Sequence, residues 1–298
     1  MTGFRVGAVN RSREATPEPG GKAAHVAMAL RALGERPRWI GFAGGSTGEF
    51  LISELKALGI QALPIATREP TRENLAIVDD AGTVTEILEP GGRSSVKELR
   101  SFQKVCQGEF ARGKQKLSVI LSGSLPPGVP ASFYASLIRA AHARNCQVIL
   151  DSSGDALRRG VLARPDLVKP NSDEAEALTG MKLRDARSAR EALPRILAMG
   201  ARSVAISLGK EGVIWGGEDE VVLHARVPEV NCRSAVGSGD AAVAGFAYAM
   251  SNGLSPEETL RLAVACGSAN CLADSPGRIR LSTVRKLQKE VSVEVLAG

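Results

Sequence analysis

The chain has 298 residues, 44% of them hydrophobic and 23% charged: enough apolar material for a sizeable core, and too ordinary a balance for disorder to be the default. Its net charge of +6 is spread along the sequence and aromatics make up only 4%, which argues against a nucleic-acid binder. No apolar stretch reaches bilayer length and no leader-like run opens the chain, so a cytoplasmic protein away from membranes is expected.

In chain order, Ala24 to Leu33 reads as an apolar-rich helix closed by Gly34. Trp39 to Phe42 is a short strand, and a helix capped by Thr47 runs to Leu58 and ends at Gly59. Gln61 to Ile65, Leu75 to Asp79 and Thr83 to Leu88 read as strands with no helix between them, the last two joined by a turn at Asp80-Ala81-Gly82. The sequence therefore predicts an antiparallel patch near 61–88, suited to covering a site. Leu117 to Leu121 is a strand, Pro130 to Asn145 a helix, Gln147 to Asp151 a strand, Leu167 to Lys169 a brief strand and Asp173 to Leu178 a helix. Ser203 to Leu208 is a buried-type strand, and Val213 to Trp215 with Val221 to Leu223 forms a hairpin. Helices over Ala241 to Met250 and Pro256 to Leu272 follow. Strands alternating with helices imply an α/β fold with a mainly parallel sheet, helices on both faces, and ligands at the strands' carboxyl ends.

Five cysteines, Cys106, Cys146, Cys232, Cys266 and Cys271, match no zinc spacing, and His25, His142 and His224 form no HExxH. Free thiols are expected, and a zinc hydrolase is not. No segment fits G-x-x-x-x-G-K-[ST], so ATP held by a Walker A loop is excluded.

The motif richest in chemistry is Val236-Gly237-Ser238-Gly239-Asp240, just ahead of a helix. Glycines and a helix N-terminus present bare N–H groups and a positive dipole end to an anion, and Asp240 stands where it can accept a hydroxyl proton. Taken alone, the same residues also fit an N-capping Asp after a glycine turn. Gly237, Gly239 and Ala242 further satisfy the dinucleotide pattern G-x-G-x-x-A, against the polar lead-in at Asn231 to Ser234. Lys169-Pro170-Asn171-Ser172-Asp173-Glu174 ends a strand and opens a helix; Asn171 and Glu174 could offer oxygens to a metal–phosphate complex, or simply start the helix. Ser207-Leu208-Gly209-Lys210-Glu211-Gly212 could wrap a nucleotide or be a plain turn. Gly20-Gly21-Lys22 before a helix suits an anion, Ser122-Gly123-Ser124 ends another strand, and Arg72 lies in the antiparallel patch.

These segments occur in order together with Gly44-Gly45, Thr71-Arg72-x-Asn74 and Thr85-Glu86-Ile87-Leu88, and the set resembles the PfkB, or ribokinase-like, family of carbohydrate kinases from about Val9 to Asn270. Within it the likeness is to the 1-phosphofructokinase and tagatose-6-phosphate kinase branch. The resemblance implies one domain over 1–298, a three-layer α/β core, and a small β lid drawn from about 3–12 and 60–90. It also implies a homodimer joined through the lid. It implies ATP- and Mg2+-dependent phosphorylation of a sugar phosphate such as fructose 1-phosphate or tagatose 6-phosphate. A kinase for an unphosphorylated sugar or nucleoside, and a nucleotide-binding protein impaired in catalysis, are the alternatives.

By motif match, Asp240 would be the base and Gly237, Ser238 and Gly239 the anion hole. Lys169, Asn171, Ser207, Gly209, Gly212 and Asn270 would line the nucleotide site, with Glu174 serving magnesium. Gly21, Lys22, His25, Arg72 and Ser124 would hold the sugar phosphate. Relatives carry a strand and an Asp-bearing turn ahead of the Val9-Asn10-Arg11 segment, so the core sheet is expected to lack its first strand, leaving an unpaired edge or an exposed core face. The family's Gly-Gly-Lys-Gly-x-Asn reads Gly20-Gly21-Lys22-Ala23-Ala24-His25 here, putting an imidazole where an amide would bind sugar oxygens.

Overall fold

The computed structural model describes residues 3–80, 83–112, 117–217 and 221–296. Helix α1 (Lys22–Ala32) leads into strand β1 (Arg38–Ala43), helix α2 (Gly45–Ala57) and strand β2 (Gln61–Ala66). Strands β3 (Asn74–Val78) and β4 (Val84–Leu88) precede helix α3 (Val96–Phe110). The central run is β5 (Ser118–Ser122), α4 (Phe133–His142), β6 (Gln147–Asp151), α5 (Gly154–Val161), β7 (Leu167–Val168), α6 (Ser172–Thr179), α7 (Ala186–Ala198) and β8 (Ser203–Ser207). Strands β9 (Val213–Gly217) and β10 (Val222–Arg226), helices α8 (Ser238–Ser251), α9 (Pro256–Cys271) and α10 (Leu281–Gln288), and strand β11 (Ser292–Leu296) complete the chain.

Seven strands form one sheet in the order β11-β10-β9-β8-β7-β6-β5. It is parallel from β5 to β8 and antiparallel from β8 to β11. Side chains alternate across it, as strand geometry demands. Val148 and Leu150 of β6 and Val204 and Ile206 of β8 join one apolar cluster, with α4, α5 and α7. Ile149 and Ala205 point the other way, into a cluster with α8 and α9. All of these strand residues are fully buried, so the sheet is the middle layer of three.

β5 is the last strand of this sheet among the described residues. β1 and β2 form a separate parallel pair, and α1 packs against both β1 and β5. The expected antiparallel patch is thereby corrected. β2 runs parallel to β1 beneath α2, and only β3 and β4 make the antiparallel hairpin. Its turn residues Ala81 and Gly82 lie outside the described residues. Helix α2 is also capped differently from the expectation. Gly44 is the N-cap, and the Thr47 hydroxyl instead donates to the Thr71 carbonyl at 2.7 Å, tying α2 to the approach to β3. The sequence reading passed over α3, α5, α7, α10 and β11.

Candidate active site

The carboxyl ends of β5, β6, β7 and β8 meet the N-termini of α1, α6 and α8. The centre of this region is Asp151, the last residue of β6 and wholly buried. Its carboxylate accepts from Lys22 Nζ at 3.3 and 3.4 Å, faces Lys169 Nζ at 3.4 Å, and accepts from Ser122 Oγ at 3.3 Å. Lys169 is only 4% exposed, whereas the Lys22 side chain is 41% exposed and reaches into the open cleft. Burial works against the Lys22 ammonium, but the charges of Asp151, Asp240 and Glu174 outweigh it and hold its pKa above the usual lysine value. The β5 loop is latched to the same strand end. Gly123 donates its N–H to the Asp151 carbonyl at 2.9 Å, and its own carbonyl accepts from Ser152 Oγ at 3.0 Å and Tyr134 Oη at 3.1 Å.

Helix α8 enters beside this cluster. Gly237, its N-cap, has φ +79°, and a Cβ there would lie 2.8 Å from the Pro276 Cβ, so glycine is needed both for the turn and for the close approach. Ser238 donates its N–H back to the Ala235 carbonyl at 3.1 Å, but among the described residues the N–H groups of Gly239 and Asp240 have no acceptor. They are the free donors of a helix N-terminus. A Cβ on Gly239 would sit 3.4 Å from Lys169 Nζ, which places that ammonium directly against the turn. Asn270 is almost fully buried and spent on the turn: its amide donates to the Val236 carbonyl at 2.7 Å and to Ser238 Oγ at 3.3 Å, and its oxygen accepts from Gly277 N–H at 2.8 Å. Its part is to fix the turn's shape.

Asp240 is itself buried, and its Oδ2 lies 2.9 Å from His25 Nδ1. Thus His25, which the sequence reading assigned to the sugar, contacts Asp240. On the other flank, Arg72 Nη2 donates to Ser124 Oγ at 3.3 Å and Nη1 to the Glu89 carbonyl at 3.4 Å, so these two expected phosphate-side residues come together at the cleft's rim.

Asn171 and Glu174 form a reciprocal capping box at the start of α6: Asn171 Oδ1 accepts from Glu174 N–H at 2.8 Å, and Glu174 Oε2 accepts from Asn171 N–H at 2.9 Å. Glu174 Oε1 is left over, and the Glu174 charge acts on Lys22 across the cleft. An isolated bridge joins Asn171 to Ser207, which brings the Gly209–Glu211 turn alongside. Gly209 and Gly212 have φ +58° and +99°. A Cβ on Gly212 would fall on the Ala225 carbonyl, so backbone packing alone demands that glycine. A cavity of about 670 Å3 lies elsewhere, lined by Glu18, Arg233, Asp274 and Arg278 among others and by none of the groups around Asp151 and Asp240.

Among the described residues no three His, Cys, Asp or Glu side chains gather as a metal cage. Asp151, missed as a site residue, did leave a signal in the sequence: a lone carboxylate closing the apolar run Val148-Ile149-Leu150 has to be paired when buried.

A family model described as "pfkB family carbohydrate kinase" matches residues 2–280. The chain is 32% identical over 293 residues to a 1-phosphofructokinase of Bacillus subtilis, covering 97% of this chain and 93% of that protein. It is 30% identical to a D-tagatose-1-phosphate kinase of Klebsiella oxytoca, covering 96% and 91%. Among solved structures, phosphofructokinase-2 from Escherichia coli in complex with substrates and products superposes with a TM-score of 0.87 at 31% identity, over 97% of this chain and 93% of that one. Ribokinase of Arabidopsis thaliana, at 22% identity, shares the fold with a TM-score of 0.75 over 96% and 92%.

Proposed function

This chain belongs to the pfkB family of carbohydrate kinases, phosphotransferases with an alcohol acceptor, and from that membership we propose that it transfers the γ-phosphoryl group of ATP to a hydroxyl of a sugar phosphate. Fructose 1-phosphate and the tagatose phosphates are the first candidates, given the relatives' names. The observation that carries the reading is the meeting of a buried carboxylate, Asp240, with two free N–H groups and the Lys169 ammonium at one helix start.

In this reading Asp240 accepts the proton of the attacking hydroxyl, whose oxygen bonds to the γ-phosphorus as the bond to ADP breaks. The N–H groups of Gly239 and Asp240, with Lys169, stabilise the charge that gathers on the transferred group. Asp151 holds Lys22 and Lys169 at fixed positions, so neither ammonium has to be gathered from solvent during reaction. Magnesium bound to the nucleotide phosphates would neutralise part of their charge, and Glu174, with one carboxylate oxygen outside its capping box, would hold it. Asn171, Ser207 and the Gly209–Gly212 turn flank the nucleotide. Gly21, Lys22, Arg72 and Ser124 hold the acceptor's phosphate.

The β3–β4 hairpin serves as a lid and pairs with a second copy. Leu75, Val78, Ile87 and Leu88 are all half or more exposed on it, an apolar surface that such pairing would bury. A coupled ADP-release assay over fructose 1-phosphate, fructose 6-phosphate, tagatose 1-phosphate, tagatose 6-phosphate and unphosphorylated sugars tests the proposal. ATP-dependent turnover confined to sugar phosphates supports it. Turnover of unphosphorylated sugars alone, unaffected by Arg72→Ala, overturns the acceptor assignment.

A further inference from the structure

We propose, on the reading of Asp240 as the base, that His25 is the residue that positions it: the ring holds one carboxylate oxygen, Oδ2, and so presents the other, Oδ1, to the acceptor hydroxyl.

The direction of the contact follows from the base's own chemistry. A carboxylate that is to take a proton is ionised, and an ionised carboxylate only accepts hydrogen bonds. At 2.9 Å from Oδ2, His25 Nδ1 therefore carries its hydrogen and donates it, whether the ring is neutral or charged. Asp240 Oδ1 is left without a partner, and among the described residues no such buried oxygen is sealed from solvent, so Oδ1 meets solvent. The torsion of a carboxylate is broad and roughly two-fold, so an unheld Asp240 would offer either oxygen over a range of orientations. The bond to His25 selects one.

Left to itself, an acid at this place has a nearer partner. Asp240 is the third residue of α8 after its N-cap, Gly237. At the same place in α3, α6 and α9, Glu98, Glu174 and Glu258 fold back and accept from the N-cap N–H at 2.6, 2.9 and 3.1 Å. Among the described residues Asp240 makes no such bond to Gly237; its carboxylate is turned across to α1 instead.

Helix α1 is placed to do this. Lys22 and His25 are three residues apart and share a helix face. Lys22 holds Asp151 at the end of β6 and His25 holds Asp240 at the start of α8, so one helix spans two buried carboxylates. The backbone at Gly277 presses on that helix, for a Cβ there would lie 2.8 Å from the His25 carbonyl oxygen and 2.9 Å from its Cα. The ring and the carboxylate are 12% and 8% exposed, so little water competes for their bond. Through a turnover His25 keeps its protons. The hydroxyl proton passes to Oδ1 as the oxygen's electron pair bonds the γ-phosphorus and ADP leaves, and Oδ1 then returns the proton to the water it faces. His25 touches the base and acts on the reaction through it.

The test uses the full chain with Mg2+, ATP and the sugar phosphate turned over fastest in the ADP-release assay. His25→Leu fills the space without a donor and should lower kcat roughly 10- to 100-fold, the cost of a misplaced base, with KM for the acceptor within about threefold. His25→Asn restores an N–H close to the place of Nδ1 and should bring kcat back to within about threefold of the wild type. Proton–nitrogen NMR of the wild type, labelled at its three histidines, should show the His25 ring protonated at Nδ1, its signal identified by loss in His25→Asn and shifted in Asp240→Asn. That measurement needs no acceptor and no turnover, and it decides the matter where urea midpoints show that a variant fails to fold. An Nδ1 without hydrogen overturns the proposal. So does a His25→Asn enzyme as slow as His25→Leu. A His25→Leu enzyme with wild-type kcat, or one that loses only acceptor affinity, overturns the positioning role while an inactive Asp240→Asn spares the base. Full activity in Asp240→Asn overturns the base and its positioning together.

Discussion

Replacing Asp151 by alanine should unfold the protein far more readily, because it strands a buried cation. Asp151 is wholly buried and is the ion-pair partner of Lys169, itself 4% exposed. Removing one partner of a buried pair costs about 3–5 kcal/mol, since the remaining charge keeps its desolvation penalty and loses its compensation. Lys22 adds little to that figure, as its ammonium can turn to solvent and exposed pairs contribute about 0–1 kcal/mol. At about 2–4 °C per kcal/mol for a chain approaching this size, the melting temperature should drop by roughly 10 °C. Urea denaturation of Asp151→Ala, Lys169→Met and the double variant measures the coupling directly. The double variant should be markedly more stable than Asp151→Ala, because the stranded ammonium is gone. A loss below about 1 kcal/mol in Asp151→Ala, or a double variant no better than it, would refute the picture of Asp151 as the post for two lysines.

Gly212→Ala should be strongly destabilising, because its Cβ falls on the Ala225 carbonyl at φ +99°; Gly209→Ala, at φ +58° with open space, should cost only about 1 kcal/mol, and thermal melts compare them. Burial, and then its neighbour Cys271, push the Cys232 thiol up to about 11, so iodoacetamide labelling of this exposed cysteine should keep accelerating as pH rises past 9, where an ordinary thiol levels off. Peptide mass spectrometry reads this out, and a plateau near pH 9 would contradict it. Leu75→Glu combined with Ile87→Glu, which face each other across the hairpin, should shift a dimer to monomers in analytical ultracentrifugation without lowering the melting temperature of the core.

Much of the site was legible because glycines and helix starts announce themselves locally. The Gly237–Asp240 turn, the Lys169–Glu174 segment and the Ser207–Gly212 turn all lie where the sequence placed them. What depended on distant partners was not legible. His25 and Asp240 are 215 residues apart, and no local pattern joins them. Asp151 looked like the polar end of a strand until Lys22 and Lys169 arrived from other elements. The β2 pairing was misread because parallel partners are set by the packing of α2 and not by a turn, whereas the β3–β4 pair is announced in the sequence by the turn-forming stretch Asp80-Ala81-Gly82. Helix α7 escaped notice because Pro194 lies inside it, and α3 because its charged outer face dilutes an apolar stripe of which only Cys106 and Phe110 are buried.

In the proposed function Asp240 removes the proton of a sugar-phosphate hydroxyl. The most direct test compares ADP release by the wild type and Asp240→Asn, with saturating ATP and Mg2+ and the best acceptor of the panel. The kcat of the variant should be at least about 100-fold lower, with nucleotide binding retained. An Asp240→Asn enzyme that releases ADP at the wild-type rate would contradict it.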